Sequence, residues 1–346
     1  MVSRTRKSRK RRSSGAAGFL LGFFLLVCAA AGGVAWLLLV PYGPKTVTFV
    51  DLAPGSSTAG VGRRLEQAGV VRSGLAFALL RFLGHGTLKA GEYRFDHPLP
   101  AVEVYRRIAR GDVYTIALTV PEGANIFDIA ARMQQAGLAT RRQFLQAAVQ
   151  QVGLISDLDP SARSLEGYLF PDTYRFAHGT TAAQMAAVMV RRFRAVARRL
   201  GLNHHVHRVV TLASLVVRET AVNSERPLVA SVFVNRLAKN MPLMCDPSVI
   251  YGLELEGRWR GVIYHSDLTY DTAYNTYLHT GLPPGPVANP GISSLRAAMH
   301  PAKTNYLYFV AAGNNPQGRS LFSTTLGQQS RNVAGYRHAL RKAGVR

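Results

Sequence analysis

Carboxylates, amides and phenols recur at turns beside apolar segments in the second half of this sequence: Glu166, Tyr168, Asp172, Glu219, Glu225, Asn235, Asp246, Tyr274 and Asn275. Carboxylic acids pass protons, and tyrosine and asparagine hydrogen-bond to hydroxyl groups, so the set suits carbohydrate chemistry. Glu219 has the most telling setting. It follows Val209, Val210, Leu212, Ala213, Leu215, Val216 and Val217, a run broken only by Thr211, Ser214 and Arg218. Such a run reads as a helix buried on most sides. A carboxyl at its end is desolvated, which raises its pKa towards the range of a general acid working near neutrality. The competing reading is a structural ion pair between Glu219 and an arginine at the helix end. Other chemistries lack their signatures: there is no HExxH, no Walker A loop and no GxSxG elbow. His204, His205 and His207 have no spaced acidic partner and read as a polar cap.

The elements that must hold these residues follow from the chain in order. Residues 1–12 carry seven basic side chains of a net charge of +23. Gly15 to Val40 has no charged residue, and about 20 apolar residues suffice to cross a bilayer. The basic tail then places the N-terminus in the cytoplasm and everything after Pro41 outside it. Ala29-Ala30-Ala31 offers a signal-peptide cleavage site, but the apolar stretch continues to Val40, which favours a retained single-pass anchor. That topology argues against nucleic acid as the partner of this basic chain. Cys28 and Cys245 fall on opposite sides of the membrane boundary, so no disulfide framework is expected.

After the anchor comes a weak internal repeat. Strand-like Val47–Val50 leads through Pro54-Gly55 into VGRRLEQAG, and Leu118–Val120 leads through Pro121-Glu122-Gly123 into IAARMQQAG. Both copies read as strand, glycine turn and short helix closed by Gly69 or Gly137. Such modules often bind polymers; the plainer reading is a spacer. The stretch SLEGYLFPDTYRF sets Tyr168, Phe170, Tyr174 and Phe176 around Glu166 and Asp172, a pattern for a sugar-facing surface or for core. Ala182–Leu200 is a basic amphipathic helix with a solvated face. Asp246 precedes a proline and is expected in an extended or turn conformation. Four prolines in GLPPGPVANPG stiffen a loop that suits a cleft wall, and the segments 300–311 and 320–326 read as a hairpin.

The run LASLVVRETAVNSERPLVASVFVNRL resembles the central motif of the MltG (YceG-like) endolytic murein transglycosylases. SLEGYLFPDTY, DPSVIYG, YNTYLHTGLPPGPVANPG and HPAKTNYLYFV follow in that family's order, so the resemblance covers about residues 45 to 335. It implies an α+β fold: a transmembrane helix (16–40) after a basic cytoplasmic tail (1–15), a small LysM-like α/β region with an internal duplication (45–155), and a mixed α+β catalytic domain around a buried central helix (160–346). It also implies a membrane-anchored enzyme on the periplasmic face of the inner membrane that cuts nascent glycan strands internally. The MurNAc–GlcNAc β-1,4 bond is broken without water, leaving a 1,6-anhydro end. Glu219 is then the catalytic acid and the other eight residues are substrate contacts, with peptidoglycan as substrate, peptidoglycan synthases as candidate partners, and no cofactor or metal. The sequence departs from the family pattern at three places. Val217 stands where a first glutamate is usual, Met244 where a glutamine is, and Gln329 where a histidine is common. Two other readings stay open: a hydrolase using Glu225 or Asp246 as second carboxylate, and a non-catalytic wall-binding scaffold.

Overall fold

The structure is a computed structural model in which residues 14–84, 86–313, 318–342 and 344 are described. Residues 1–13 of the basic tail expected in the cytoplasm, and residues 314–317 between the two segments expected to form a hairpin, lie outside them. The fold is mixed α+β and divides into two compact units, Met1–Thr115 and Ile116–Arg346.

The first unit begins with helix α1 (Ser14–Leu39), of which Gly18–Leu39 is long and apolar enough to cross a membrane. Then come β1 (Thr48–Leu52), α2 (Thr58–Gln67), α3 (Gly74–Leu83), β2 (Gly91–Phe95) and α4 (Ala101–Arg110). Strands β1 and β2 pair antiparallel with Val50 opposite Tyr93. Their inward residues meet Val61, Leu65, Phe77, Val104 and Ile108 in one small core. Helices α2 and α3 pack through Gly62 and Gly74. A Cβ on Gly62 would stand 2.4 Å from the Gly74 carbonyl oxygen, so only a residue without a side chain permits this approach.

The second unit contains β3 (Thr115–Thr119), α5 (Ile126–Gln135), α6 (Arg141–Gln150), β4 (Thr173–Ala177), α7 (Ala182–Leu200), α8 (Val206–Glu219), α9 (Arg226–Ala238), α10 (Asp246–Leu255), α11 (Ile292–Met299), β5 (Tyr308–Ala311), β6 (Ser320–Ser323) and α12 (Leu326–Lys342). Strand β3 pairs with β4, and β5 with β6 as an antiparallel hairpin. Every residue of α8 from Val210 to Val216 is buried, and the helix packs against α9, α10 and α11. Ser214, inside that apolar face, donates to the Thr211 carbonyl and accepts from the Val287 N–H at 3.0 Å, tying the proline-rich loop to the helix. Helix α5 begins with a capping box of Asn125 and Asp128, and α7 with one of Thr181 and Gln184.

The two repeat segments have matching local structure. Each has a strand, a glycine turn (Gly55 at φ 80°, Gly123 at φ 81°), a ten-residue helix, a second glycine at φ 69° (Gly69, Gly137) and another ten-residue helix. They serve different cores, however. Ile129, Met133 and Phe144 pack with Met185 and Phe193, so the segment 116–155, grouped with the first repeat in the sequence reading, belongs to the larger unit. Two local expectations are also corrected. Asp246 is the first residue of α10, because Pro247 falls in the first helical turn, where its missing N–H costs nothing. His205 precedes α8 without any side-chain cap bond, while His207 turns inward to Asp159 at 2.7 Å.

Candidate active site

Glu219 is the last residue of α8, where the helix gives way to extended backbone at Thr220. Its side chain is partly buried, and burial pushes its pKa up. The negative charge of Asp246 pushes the same way, while the Cys245 thiol and the Arg236 and Arg218 guanidinium groups oppose it. The Cys245 Sγ–H donates to Glu219 Oε1 at 3.0 Å from a buried position just before α10. Burial and the carboxyl beside it raise the Cys245 pKa well above the usual thiol range, so the sulfur keeps its proton and remains a donor.

The surrounding side chains are fixed by their own bonds. Arg236, on α9, donates from Nε to the Leu307 carbonyl and from Nη1 to the Leu243 carbonyl, both at 2.7 Å, and lies 5.3 Å over the Tyr308 ring. Asp246 accepts a hydrogen bond from Tyr277 Oη at 2.5 Å. The Cys245 N–H donates to Thr276 Oγ1 and the Met244 N–H to the Thr276 carbonyl, so the loop bearing Tyr277 braces the segment bearing Cys245 and Asp246. A carboxyl whose pKa is pushed up thus lies near two guanidinium groups, a second carboxylate and Tyr277, with Tyr308 beneath Arg236. Among the described residues no three His, Cys, Asp or Glu side chains converge to hold a metal ion.

Of the nine residues singled out from the sequence, the structure brings only Glu219 and Asp246 together here. Glu166 lies in the interior, accepting from the Ile126 N–H at 2.9 Å and from Asn289 Nδ2 at 2.8 Å. Tyr274 packs edge-on against Tyr251 with ring centroids 5.1 Å apart. Tyr168 is fully buried and donates to Asp159, which also holds His207. Asn275 is fully buried, donates to the Leu268 and Tyr270 carbonyls and accepts from the Tyr277 N–H, so it shapes the loop. Asn235 donates to the Thr304 and Tyr306 carbonyls. Glu225 is buried at the start of α9 and accepts from the Ser320 N–H at 2.8 Å. Asp172 is at the surface, paired with Arg192 at 2.8 Å. Cys245, Arg236, Tyr277 and Tyr308 were not singled out. Tyr277 lies within YNTY, and Arg236 is adjacent to Asn235, but one-dimensional spacing gives no sign that α9, the 274–277 loop and β5 meet at the end of α8.

The three departures also find their places. Val217 and Glu219 are two residues apart on a helix and face different ways. Val217 and Arg218 lie over the Gly123 turn, and Arg218 Nη1 donates to the Gly123 carbonyl at 3.2 Å. Met244 is half exposed beside Cys245. Gln329 donates to the Phe309 carbonyl and accepts from Ser323, stapling α12 to the hairpin.

Away from Glu219, a second acidic cluster carries a pH dependence. Burial lifts Glu166 to about 8 against the donors around it, and Glu254, held by Asn125 Nδ2 at 2.5 Å, to about 7. A carboxyl with a raised folded-state pKa takes up a proton on folding in the window between its two pKa values. Its contribution to stability is therefore fully present below about 4.5 and is lost as pH rises through about 7 to 8. Urea unfolding should give a stability that falls with pH across that window, by up to ~1.4 kcal/mol per pH unit for each group. Glu166→Gln mimics the protonated form and should flatten the slope; an unchanged slope would place the titration elsewhere.

A partly buried carboxyl at a helix end, with a second carboxylate and two guanidinium groups acting on its pKa, gives the site the class of a general acid–base centre. The relatives make the class specific. Residues 50–335 match the YceG-like family, and the chain belongs to it. The endolytic murein transglycosylase of Bacillus subtilis (strain 168) is 32% identical over 311 residues, which span 83% of this chain and 84% of that protein. The endolytic murein transglycosylase of Streptococcus pneumoniae (strain ATCC BAA-255 / R6) is 30% identical over 86% of this chain and 60% of its own length. A 2.6 Å crystal structure of a YceG-like protein from Listeria monocytogenes is similar in fold, with a TM-score of 0.54 at 30% identity, over 83% of this chain and 99% of that one.

Proposed function

We propose that this chain is a membrane-anchored endolytic murein transglycosylase that cleaves the MurNAc–GlcNAc β-1,4 bond of peptidoglycan with Glu219 as its one acid and base. The observation that carries this reading is the placement of Glu219 at the end of α8, with its pKa raised by burial and its carboxyl held by the Cys245 thiol. The relatives' activity agrees with it. In the first step the Glu219 carboxylic acid gives its proton to the glycosidic oxygen as the bond from MurNAc C1 breaks. In the second, the Glu219 carboxylate takes the proton of the MurNAc C6 hydroxyl while that oxygen bonds to C1. The 1,6-anhydro ring closes, the acid is regenerated and no water is consumed. Cys245 and Arg236 favour the transient carboxylate, and Asp246 and burial favour the acid, which keeps both states within reach.

The glutamate absent at position 217 does not weigh against activity in this reading, because Val217 lies over Gly123 while Glu219 meets Cys245. A second reading rests on Asp246. A carboxylate whose charge acts on the acid could activate water, which would make the enzyme a hydrolase. The test is digestion of uncrosslinked glycan strands by the purified ectodomain, followed by mass spectrometry. Internal cuts with anhydro ends support the proposal; reducing ends, one water heavier, support the hydrolase; intact strands would leave a wall-binding scaffold.

In the same proposal α1 anchors the chain in the inner membrane with its N-terminus in the cytoplasm. The LysM-like first unit holds glycan near its site of synthesis, beside the synthases. A truncation to examine that role should stop at Thr115, since cutting to 155 removes Ile129, Met133 and Phe144 from the core of the second unit.

A further inference from the structure

Helix α3 is apolar on two sides. Ala76, Phe77 and Leu80 face the core of the first unit. Leu75, Leu79, Phe82 and Leu83 point outward, with Phe82 85% and Leu75 79% exposed. Their spacing of four, three and one makes a single stripe along the helix. A contiguous apolar stripe of this size on a protein surface marks an interaction site.

Its position says what covers it. Helix α1 packs against both α3 and α4, and its last turn enters the first unit directly, Leu38 being buried in that core. Arg72, next to the Ser73 N-cap of α3, stacks 4.2 Å from the Trp36 ring and 4.7 Å from the Tyr42 ring, and donates to the Pro41 carbonyl. The start of α3 is thereby pinned to the end of the apolar helix. The 22 residues of Gly18–Leu39 span ~33 Å, close to the ~30 Å of a hydrocarbon core, so Trp36 and Tyr42 fall at the headgroup level where aromatic belts lie. Ten residues of α3 extend only ~15 Å from that pin. Beyond Leu83 a groove of about 460 Å³ opens towards α4, with Val102, Tyr105 and Ala109 on its walls and Arg106 and Arg110 lining it.

We propose that α3 is an interfacial helix whose Leu75–Leu79–Phe82–Leu83 stripe lies in the outer leaflet of the bilayer that α1 spans, with the adjoining groove taking part of a phospholipid. The stripe then seats among acyl chains near their headgroups, and Arg106, 3.7 Å from Glu103, meets lipid phosphate, while Arg110 is held by Asp112 and Glu103. The first unit is held against the membrane at two places, α1 and α3, rather than swinging from one.

The test uses the full chain in vesicles of phosphatidylethanolamine and phosphatidylglycerol. Phe82→Cys in a Cys28→Ala background carries a nitroxide, as does Arg63→Cys on the exposed face of α2 in the same background. The native Cys28, labelled in an otherwise unchanged chain, reports on the span. The label at 82 should collide severalfold more with oxygen than with a water-soluble nickel chelate, and the label at 63 should do the reverse. Equal nickel access at 82 and 63 would overturn the proposal. So would protection of 82 from both reagents, since protein would then cover the stripe. If Cys28 itself meets nickel freely, the span has failed and the proposal fails with it, by a route distinct from failure at 82 alone.

Discussion

Glu219→Gln is expected to remove glycan cleavage while leaving the fold intact. The amide keeps the size of the side chain and can still accept from Cys245, but it has no proton to give and cannot take one from a hydroxyl. General acid–base groups contribute ~10²–10⁴-fold in rate, and here one residue serves both steps, so the loss should lie at the upper end of that range. Unfolding by urea should change little, or shift towards greater stability, because a partly buried carboxyl of raised pKa is replaced by a neutral group. Cleavage at more than a tenth of the wild-type rate would remove Glu219 from the mechanism. Activity of the wild type should fall as pH rises through the raised pKa of Glu219, because only the protonated form can start the reaction.

The largest effect on stability is expected at Asn289. Its side chain is fully buried and makes three bonds: Oδ1 accepts from the Leu169 N–H at 2.8 Å, and Nδ2 donates to the Ala124 carbonyl at 2.9 Å and to Glu166 at 2.8 Å. One amide therefore joins the proline-rich loop, the Gly123 turn beneath Arg218, and the segment that carries Glu166. Asn289→Ala strands the buried Leu169 N–H and takes one donor each from the Ala124 carbonyl, which keeps the Asn289 backbone N–H, and from Glu166, which keeps the Ile126 N–H. An unpaired buried group costs ~1–3 kcal/mol and two lost bonds to groups that keep another donor add less each, so a loss of ~2–3 kcal/mol is expected, a large part of the stability of an ordinary domain. Equilibrium urea unfolding of the ectodomain measures it. A loss below ~1 kcal/mol would mean that water or a shifted loop replaces these bonds.

What the sequence could convey depended on how local each feature is. The apolar run before Glu219 and its end at a carboxylate were legible because helix periodicity and burial are written in consecutive residues. The matching glycines 55 and 123, and 69 and 137, were legible because a positive φ strongly favours glycine. The partner of Glu219 was not legible. Cys245 lies 26 positions away on the chain and meets the acid only because the 274–277 loop braces the start of α10. Polarity alone likewise could not separate a substrate contact from a structural one. Asn275, Asn235 and Tyr168 have the chemistry of sugar ligands, yet their polar atoms are spent on backbone carbonyls or on Asp159. The outward stripe of α3 was not legible either, since no periodicity tells a core face from a face towards lipid.

The central claim is that one carboxyl breaks the glycosidic bond and that the closing nucleophile is the sugar's own C6 hydroxyl. Digestion of glycan strands in water enriched in oxygen-18, by the wild-type ectodomain and by Glu219→Gln, tests it most directly. The account predicts wild-type products with anhydro ends and no heavy oxygen, and no products from the variant. Ends that carry oxygen-18 would contradict it, for then water has entered the bond and Asp246 or another carboxylate acts as its base.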